Sequence, residues 1–272
     1  MHAFTKPTWV GCDVRRLPGV RCPPMNAALA AAATLVAIAF ALSTLDRWLR
    51  RRRPHELAWT ISLALFALGS AALWWAESAG WSLGAFRVFY AAGAVLNVPW
   101  LALGTVYLLA GPQIGDRVRT WLVLLSGFTA GIVLFAPTRV GVSGGELPTG
   151  KDVFGVAPRV LAAVGSGVAA VVIIAGAVFS AWRVWRGRPP SLRPTRVVVA
   201  PGRVVAGNLL IALGTLVLSA SGTLAGRLGK DRAFAITLLV GISILFAGFL
   251  TASASGSAAR TRNKVTELHS AA

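Results

Sequence analysis

The sequence predicts an all-α, polytopic integral membrane protein folded as a seven-transmembrane-helix bundle, and three observations predict it. Apolar residues fill 56% of the 272 positions, with a mean hydropathy of +0.68. Charged residues fill only 13%, about half the share of a typical soluble domain. The charges gather in short clusters, and between them lie seven apolar runs close to the roughly 20 residues that cross a bilayer core. Each run must be a helix, because the bilayer core holds no water for unpaired backbone groups.

The organisation follows. Residues 1–24 form an N-terminal extension, expected to be disordered. Residues 25–255 form the transmembrane domain, and residues 256–272 a short cytoplasmic tail. The extension carries Pro, Arg and both cysteines, Cys12 and Cys22, but not the order of regions that marks a signal peptide. A disulfide between them is open to a tail held outside.

Span one covers Ala27–Trp48 and runs into "DRWLRRRRPHE". Span two, Leu57–Ala76, is joined by the short hairpin "SAGWSLG" to span three, Ala85–Leu109. Span four is Val118–Ala136, preceded by Arg117 and Arg119. The loop "GGELPTGKD" leads to span five, Val160–Trp182. The basic loop "RVWRGRPPSLRPTRVVVAPGR" leads to span six, Val204–Ala225, and span seven is Ala233–Ala254.

Positive charge sets the orientation. Arg47 and Arg50 to Arg53 share one side with Arg117, Arg119, the arginines between spans five and six, Arg260, Arg262 and Lys264. The other side holds fewer: Arg139, Lys151, Arg159, Arg227, Lys230, Arg232 and the basic residues of the extension. The richer side is read as cytoplasmic, which puts the N-terminus outside and the C-terminus inside. Arg far outnumbers Lys in a chain rich in Ala, Gly, Val and Leu, a composition of GC-rich bacterial genomes, so the expected location is a bacterial cell membrane. Trp48, Trp59, Trp121, Trp182 and Trp185 are expected as anchors at inner ends, and Trp74, Trp75 and Trp81 at outer ends.

The net charge of +18 does not point to nucleic acid, since basic loops at membrane ends set orientation and meet anionic lipid head groups. The expected partners are the bilayer, those head groups and another membrane protein.

"LNVPWLALGT", residues 96–105, puts Asn, Pro and Trp in the middle of span three. At about 100° per residue, Arg87, Tyr90, Gly93, Asn97, Gly104 and Thr105 share one stripe, turned into the bundle. Pro99 frees a carbonyl near Val95 and can kink the helix. Asn208, Ala212, Thr215, Ser219 and Gly222 form a similar stripe on span six, and Thr237, Gly241, Gly248 and Thr251 a weaker one on span seven. Spans three, six and seven are therefore expected as inner helices, joined through small and hydrogen-bonding residues. "ALGT" recurs at Ala102–Thr105 and Ala212–Thr215, but such residues recur easily in this composition. Tyr90, Asn97, Thr105, Asn208, Thr215 and Ser219 are the candidate ligand contacts. For Asn97, interhelical bonding is the competing role.

Glu77 and Arg87 lie at matching depth across the outer hairpin and are expected to form an ion pair, which lowers the burial cost of both. Asp46 and Glu56 are expected to pair with inner arginines. Gly145, Gly150 and Lys151 have phosphate-loop spacing, but Asp152 stands where Ser or Thr would hold Mg²⁺, so nucleotide binding is not expected.

The absences narrow the function. No span carries a Lys for a retinal Schiff base, a Cys for thiol relay or a deep His for haem. No metal-ligand cluster, nucleophile elbow or mid-membrane carboxylate occurs. No cofactor and no catalysis are expected. Two classes remain. The first is a non-catalytic accessory, assembly or scaffold component of the membrane. The second is a binder, sensor or transporter of a small or lipidic molecule through the stripes of spans three and six. A closed interior favours the first, and a cavity touching Tyr90 and Asn97 favours the second.

Overall fold

The computed structural model of the chain describes residues 25–138, 141–142, 147–186, 201–225 and 233–251. The expected disorder of the extension, the Cys12–Cys22 question and the C-terminal tail lie outside the described residues. The helices are α1 (Met25–Arg51), α2 (Pro54–Ala79), α3 (Leu83–Ala110), α4 (Pro112–Phe135), α5 (Val156–Trp185), α6 (Pro201–Ala225) and α7 (Ala233–Thr251). Six of them are long and apolar enough to cross a membrane: α1 to α5 and α7. The chain is thus a multi-pass, all-α membrane protein. The apolar stretch of α6 is shorter, Val205–Ser219.

Turn chemistry separates the helices. Pro54 opens α2, where its missing N–H costs nothing. Gly80, at φ 96°, closes α2 in a conformation that favours glycine. The Ser82 hydroxyl accepts from the Ala85 N–H at 3.3 Å and caps α3. Gly111, at φ 83°, and Pro112 divide α3 from α4. Between α4 and α5, Thr138 pairs with Phe154, and Gly150–Val153 makes one helical turn.

α1 and α2 pack antiparallel through side chains that carry little pattern in the sequence. Ala27, Ala30, Ala33 and Ala37 are fully buried on one face of α1. Thr34 donates to Ser70 at 3.0 Å, and Thr60 to Thr44 at 3.0 Å. The inner helices therefore include α2, which the expectation of spans three, six and seven had passed over. Of the membrane-length helices, α2 is the most buried and α4 the least.

α6 and α7 meet backbone to backbone. Gly207 and Gly214 stand seven residues apart on α6, and Gly241 and Gly248 seven apart on α7. A methyl group added at Gly214 would lie 2.8 Å from the Leu245 nitrogen and 3.0 Å from the Gly241 carbonyl. One at Gly248 would lie 2.8 Å from Leu210 Cβ and 2.9 Å from the Gly207 carbonyl. Small residues permit this approach, which membrane helices use in place of a hydrophobic driving force.

Exposed Trp74, Trp75, Trp121 and Trp182 suit interfacial anchoring. Trp81 does not: it is 4% exposed and packs edge-on to Phe86 and Phe89. Trp59 is also turned inward, against Gly104, His55 and Phe249.

Candidate functional site

The centre of α3 is not a regular α-helix. Residues Phe89–Leu96 follow a π-helical register, in which the Asn97 N–H reaches the Ala92 carbonyl five residues back. In that register, the donor for the Ala94 carbonyl would be residue 99, and Pro99 has no N–H. The hydroxyl of Ser166, on α5, donates to the Ala94 carbonyl instead, at 2.5 Å. The amide of Asn97 reaches back to the Gly93 carbonyl at 3.4 Å, and Ser62 on α2 donates to the Asn97 carbonyl at 2.9 Å. The Ser166 side chain thus takes up the backbone group that the proline and the wide turn release, and Ser62 ties the end of the π segment to α2. The distortion also needs room: a methyl on Gly69 of α2 would lie 3.0 Å from the backbone of Gly93.

Beside this segment, at the middle of the spans, lies a cavity of about 400 Å³. α2 contributes Phe66, Gly69 and Ser70. α3 contributes Phe89, Gly93, Ala94, Asn97, Val98 and Leu101. Small residues of α5, from Ala162 to Ala170, form the facing wall, with Ser166 among them. α6 adds Thr215, Leu218 and Ser219, and α7 adds Phe234, Leu238 and Leu245. None of these lining residues is charged. Ala163, Gly167 and Ser219 are exposed, so the cavity opens at the surface between α5 and α6. At that depth the surroundings of a membrane protein are acyl chains.

The candidate contacts divide. Asn97 is 8% exposed and Thr215 3% exposed, and both line the cavity with Ser219. Tyr90 does not line it. Its ring packs on Phe86, Phe154 and Gly150. Thr105 also lies away, against Gly176 of α5. The side chain of Asn208 lies outside the described residues. Ser70, Ser166, Phe66, Phe89 and Phe234 were not among the candidates. The "GSG" at residues 165–167 was the one visible signal for Ser166.

The π segment explains why Tyr90 and Arg87 leave the stripe. Each extra residue in a turn rotates everything before it by roughly 100°, so a uniform helical wheel misplaces Tyr90 and Arg87, while Gly93, one turn from Asn97, stays on the cavity wall. Arg87 accordingly donates from Nη2 to the Ala136 carbonyl at 2.8 Å. Glu77–Arg87 is not among the ion pairs within 4.0 Å in the described residues. The carboxylates that flank the α1–α2 turn do pair with arginine: Asp46 with Arg50 at 2.9 Å, and Glu56 with Arg47 at 4.0 Å. Lys151 and Asp152 are exposed on the single helical turn before α5, with Thr149 bonded to Asp152. Gly145 lies outside the described residues. No group of three or more His, Cys, Asp or Glu able to hold a metal occurs among the described residues.

Fold and site together define a multi-pass membrane protein with an uncharged interior cavity. Compared with known protein families and curated proteins, the chain matches no family model and no curated sequence.

Proposed function

We propose that this is a non-catalytic membrane protein that binds a small or lipidic molecule in the cavity between α3, α5 and α6, as a sensor or transporter of it. The observation that carries the reading is the cavity itself. Its volume falls within the range of ligand pockets, and its aromatic and small apolar walls with a few convergent polar groups have the usual composition of one. An accessory component built only for packing has no need of a hollow centre. The opening between α5 and α6 favours an occupant that partitions into the bilayer and enters from the side.

The same proposal takes α6 as a seventh crossing. Its support is the glycine contact, which runs along α7 from Gly248 to Gly241. It places the N-terminus outside, the C-terminus in the cytoplasm, and the chain in a bacterial cytoplasmic membrane, with anionic head groups at the arginine clusters. A cysteine at Ser191 should then escape an impermeant thiol reagent in intact cells. Labelling there would overturn the orientation.

Binding is tested by native mass spectrometry of the protein purified in mild detergent. The wild type should carry an apolar adduct of defined mass, and a variant with Gly167→Leu and Ala170→Leu should not. Equal adducts on both proteins, or none on the wild type, would overturn binding in this cavity and favour the accessory reading.

A further inference from the structure

The hydrogen-bond bookkeeping of the cavity selects the chemistry of its occupant. A Ser or Thr hydroxyl has one proton and two lone pairs, and a side-chain amide has two protons and one carbonyl oxygen. In the cavity wall most of those protons are already committed to the protein. Ser70 donates to the Phe66 carbonyl at 2.9 Å. Ser166 donates to the Ala94 carbonyl at 2.5 Å. Thr215 donates to the Ile211 carbonyl at 2.8 Å. The proton of Ser62 lies nearer the Asn97 backbone carbonyl, at 2.9 Å, than Asn97 Oδ1, at 3.4 Å. One N–H of the Asn97 amide points to the Gly93 carbonyl.

What remains for an occupant is therefore rich in acceptors: Ser166 Oγ, Thr215 Oγ1 and Asn97 Oδ1, drawn from three helices that border one space. The donors left are the second N–H of Asn97 and the hydroxyl of Ser219, which stands at the exposed mouth. No charged side chain lines the space to neutralise an ion, and an unpaired charge there would be costly. The flanking walls, Phe66, Phe89 and Phe234, are apolar.

We infer that the occupant is an uncharged, membrane-soluble molecule with an apolar body and at least one hydroxyl or N–H donor. A molecule of the same shape that can only accept leaves the acceptor wall unanswered and binds less tightly. This inference rests on the binding reading above and adds the polarity of the hydrogen bond to it.

The test uses the purified full chain in lipid nanodiscs and a long-chain alkanol carrying an aliphatic diazirine. Irradiation followed by peptide mapping locates the label. Dodecanol, dodecyl methyl ether and dodecane then compete for it. Label should fall on the cavity-lining residues of α3 and α5. Dodecanol should displace it at roughly 3- to 30-fold lower concentration than the ether, the ratio expected for one hydrogen bond between partners in a membrane. Equal displacement by alcohol and ether would overturn the donor requirement while leaving the binding site in place. Label scattered over the outer surface, with no displacement by any competitor, would overturn the binding reading and this inference with it.

Discussion

Two regions of this bundle are built from small residues, and they end differently. Where α6 meets α7, glycines from both helices face each other and the backbones touch. Where α5 faces α3, the small residues of α5 front a hollow of about 400 Å³. The difference lies in the partner. α7 presents glycines at the same seven-residue spacing as α6, in antiparallel register: Gly214 and Gly248 meet the opposite backbone, and the Leu218 side chain fills the space at Gly241. α3 presents a π segment, whose wide turn and committed polar side chains hold the two helices at a fixed separation. Glycine and alanine allow close approach but do not impose it. A neighbour with irregular backbone turns the same residues into a cavity wall.

Substitutions can break or sharpen this contrast, and the largest effect belongs to the closed contact. Gly248→Leu places carbon against Leu210 and the backbone of Gly207 and Ile211, where nothing can give. Overpacking of this kind costs about 1–3 kcal/mol and occasionally more. The variant should unfold earlier in a denaturant titration in micelles, at the upper end of that range. An unchanged midpoint would show that the helices do not pack there.

Ser166→Ala comes next. It removes the donor that answers the Ala94 carbonyl, and an unsatisfied buried acceptor costs about 1–3 kcal/mol. The same titration should show a loss, accompanied by faster hydrogen exchange through residues 89–97. Exchange that stays at the wild-type rate would mean that the π segment holds without α5.

Asn97→Leu should be milder. Its amide bond to the Gly93 carbonyl is long, at 3.4 Å, and Ser62 donates mainly to the backbone of residue 97. Hydrogen bonds between membrane helices average about 0.6 kcal/mol and reach about 1–2, so the protein should stay folded. Photolabelling by the alkanol probe should fall more than stability does. If both fall in proportion, Asn97 serves packing alone.

Gly127→Leu marks the small end. A side chain there meets nothing within 4 Å, on the least buried of the membrane-length helices. The shift should stay within about ±0.5 kcal/mol, as for ordinary surface positions. A larger loss would reveal a contact on the outer face of α4.

The contrast also shows what the sequence could and could not convey. Helical periodicity placed Asn97 on a face turned inward, and the same reasoning on α6 placed Thr215 and Ser219 beside it. Asn97 lies at the end of the distortion and Thr215 and Ser219 on a helix without one, so a constant angle per residue served there; it did not serve for Thr105, which faces Gly176 of α5. Tyr90 and Arg87 lie within or before the π segment, and the same angle misplaced them. Pro99 signalled trouble in the backbone. The proline alone did not say that the strain would be taken up over Phe89–Leu96 rather than as a kink at Val95. The α1 contact was silent for another reason: an alanine stripe on an apolar helix has neither polarity nor bulk to stand out. Ser70 and Ser166 were hidden because single hydroxyls on otherwise apolar helices become a site only when other helices supply the rest of it.

The central claim is that the space beside α3 is hollow while the α6–α7 contact is filled. It is tested most directly by thermal unfolding, in one detergent, of Gly214→Leu beside the double variant Gly167→Leu, Ala170→Leu. Gly214 sits against the Gly241 carbonyl and Leu245 backbone, whereas Gly167 and Ala170 line the cavity. Added side chains cost stability in a packed contact and not in an empty one. Gly214→Leu should therefore lower Tm clearly, and the double variant should hold or raise it. The reverse order, with the double variant melting first, would contradict the account.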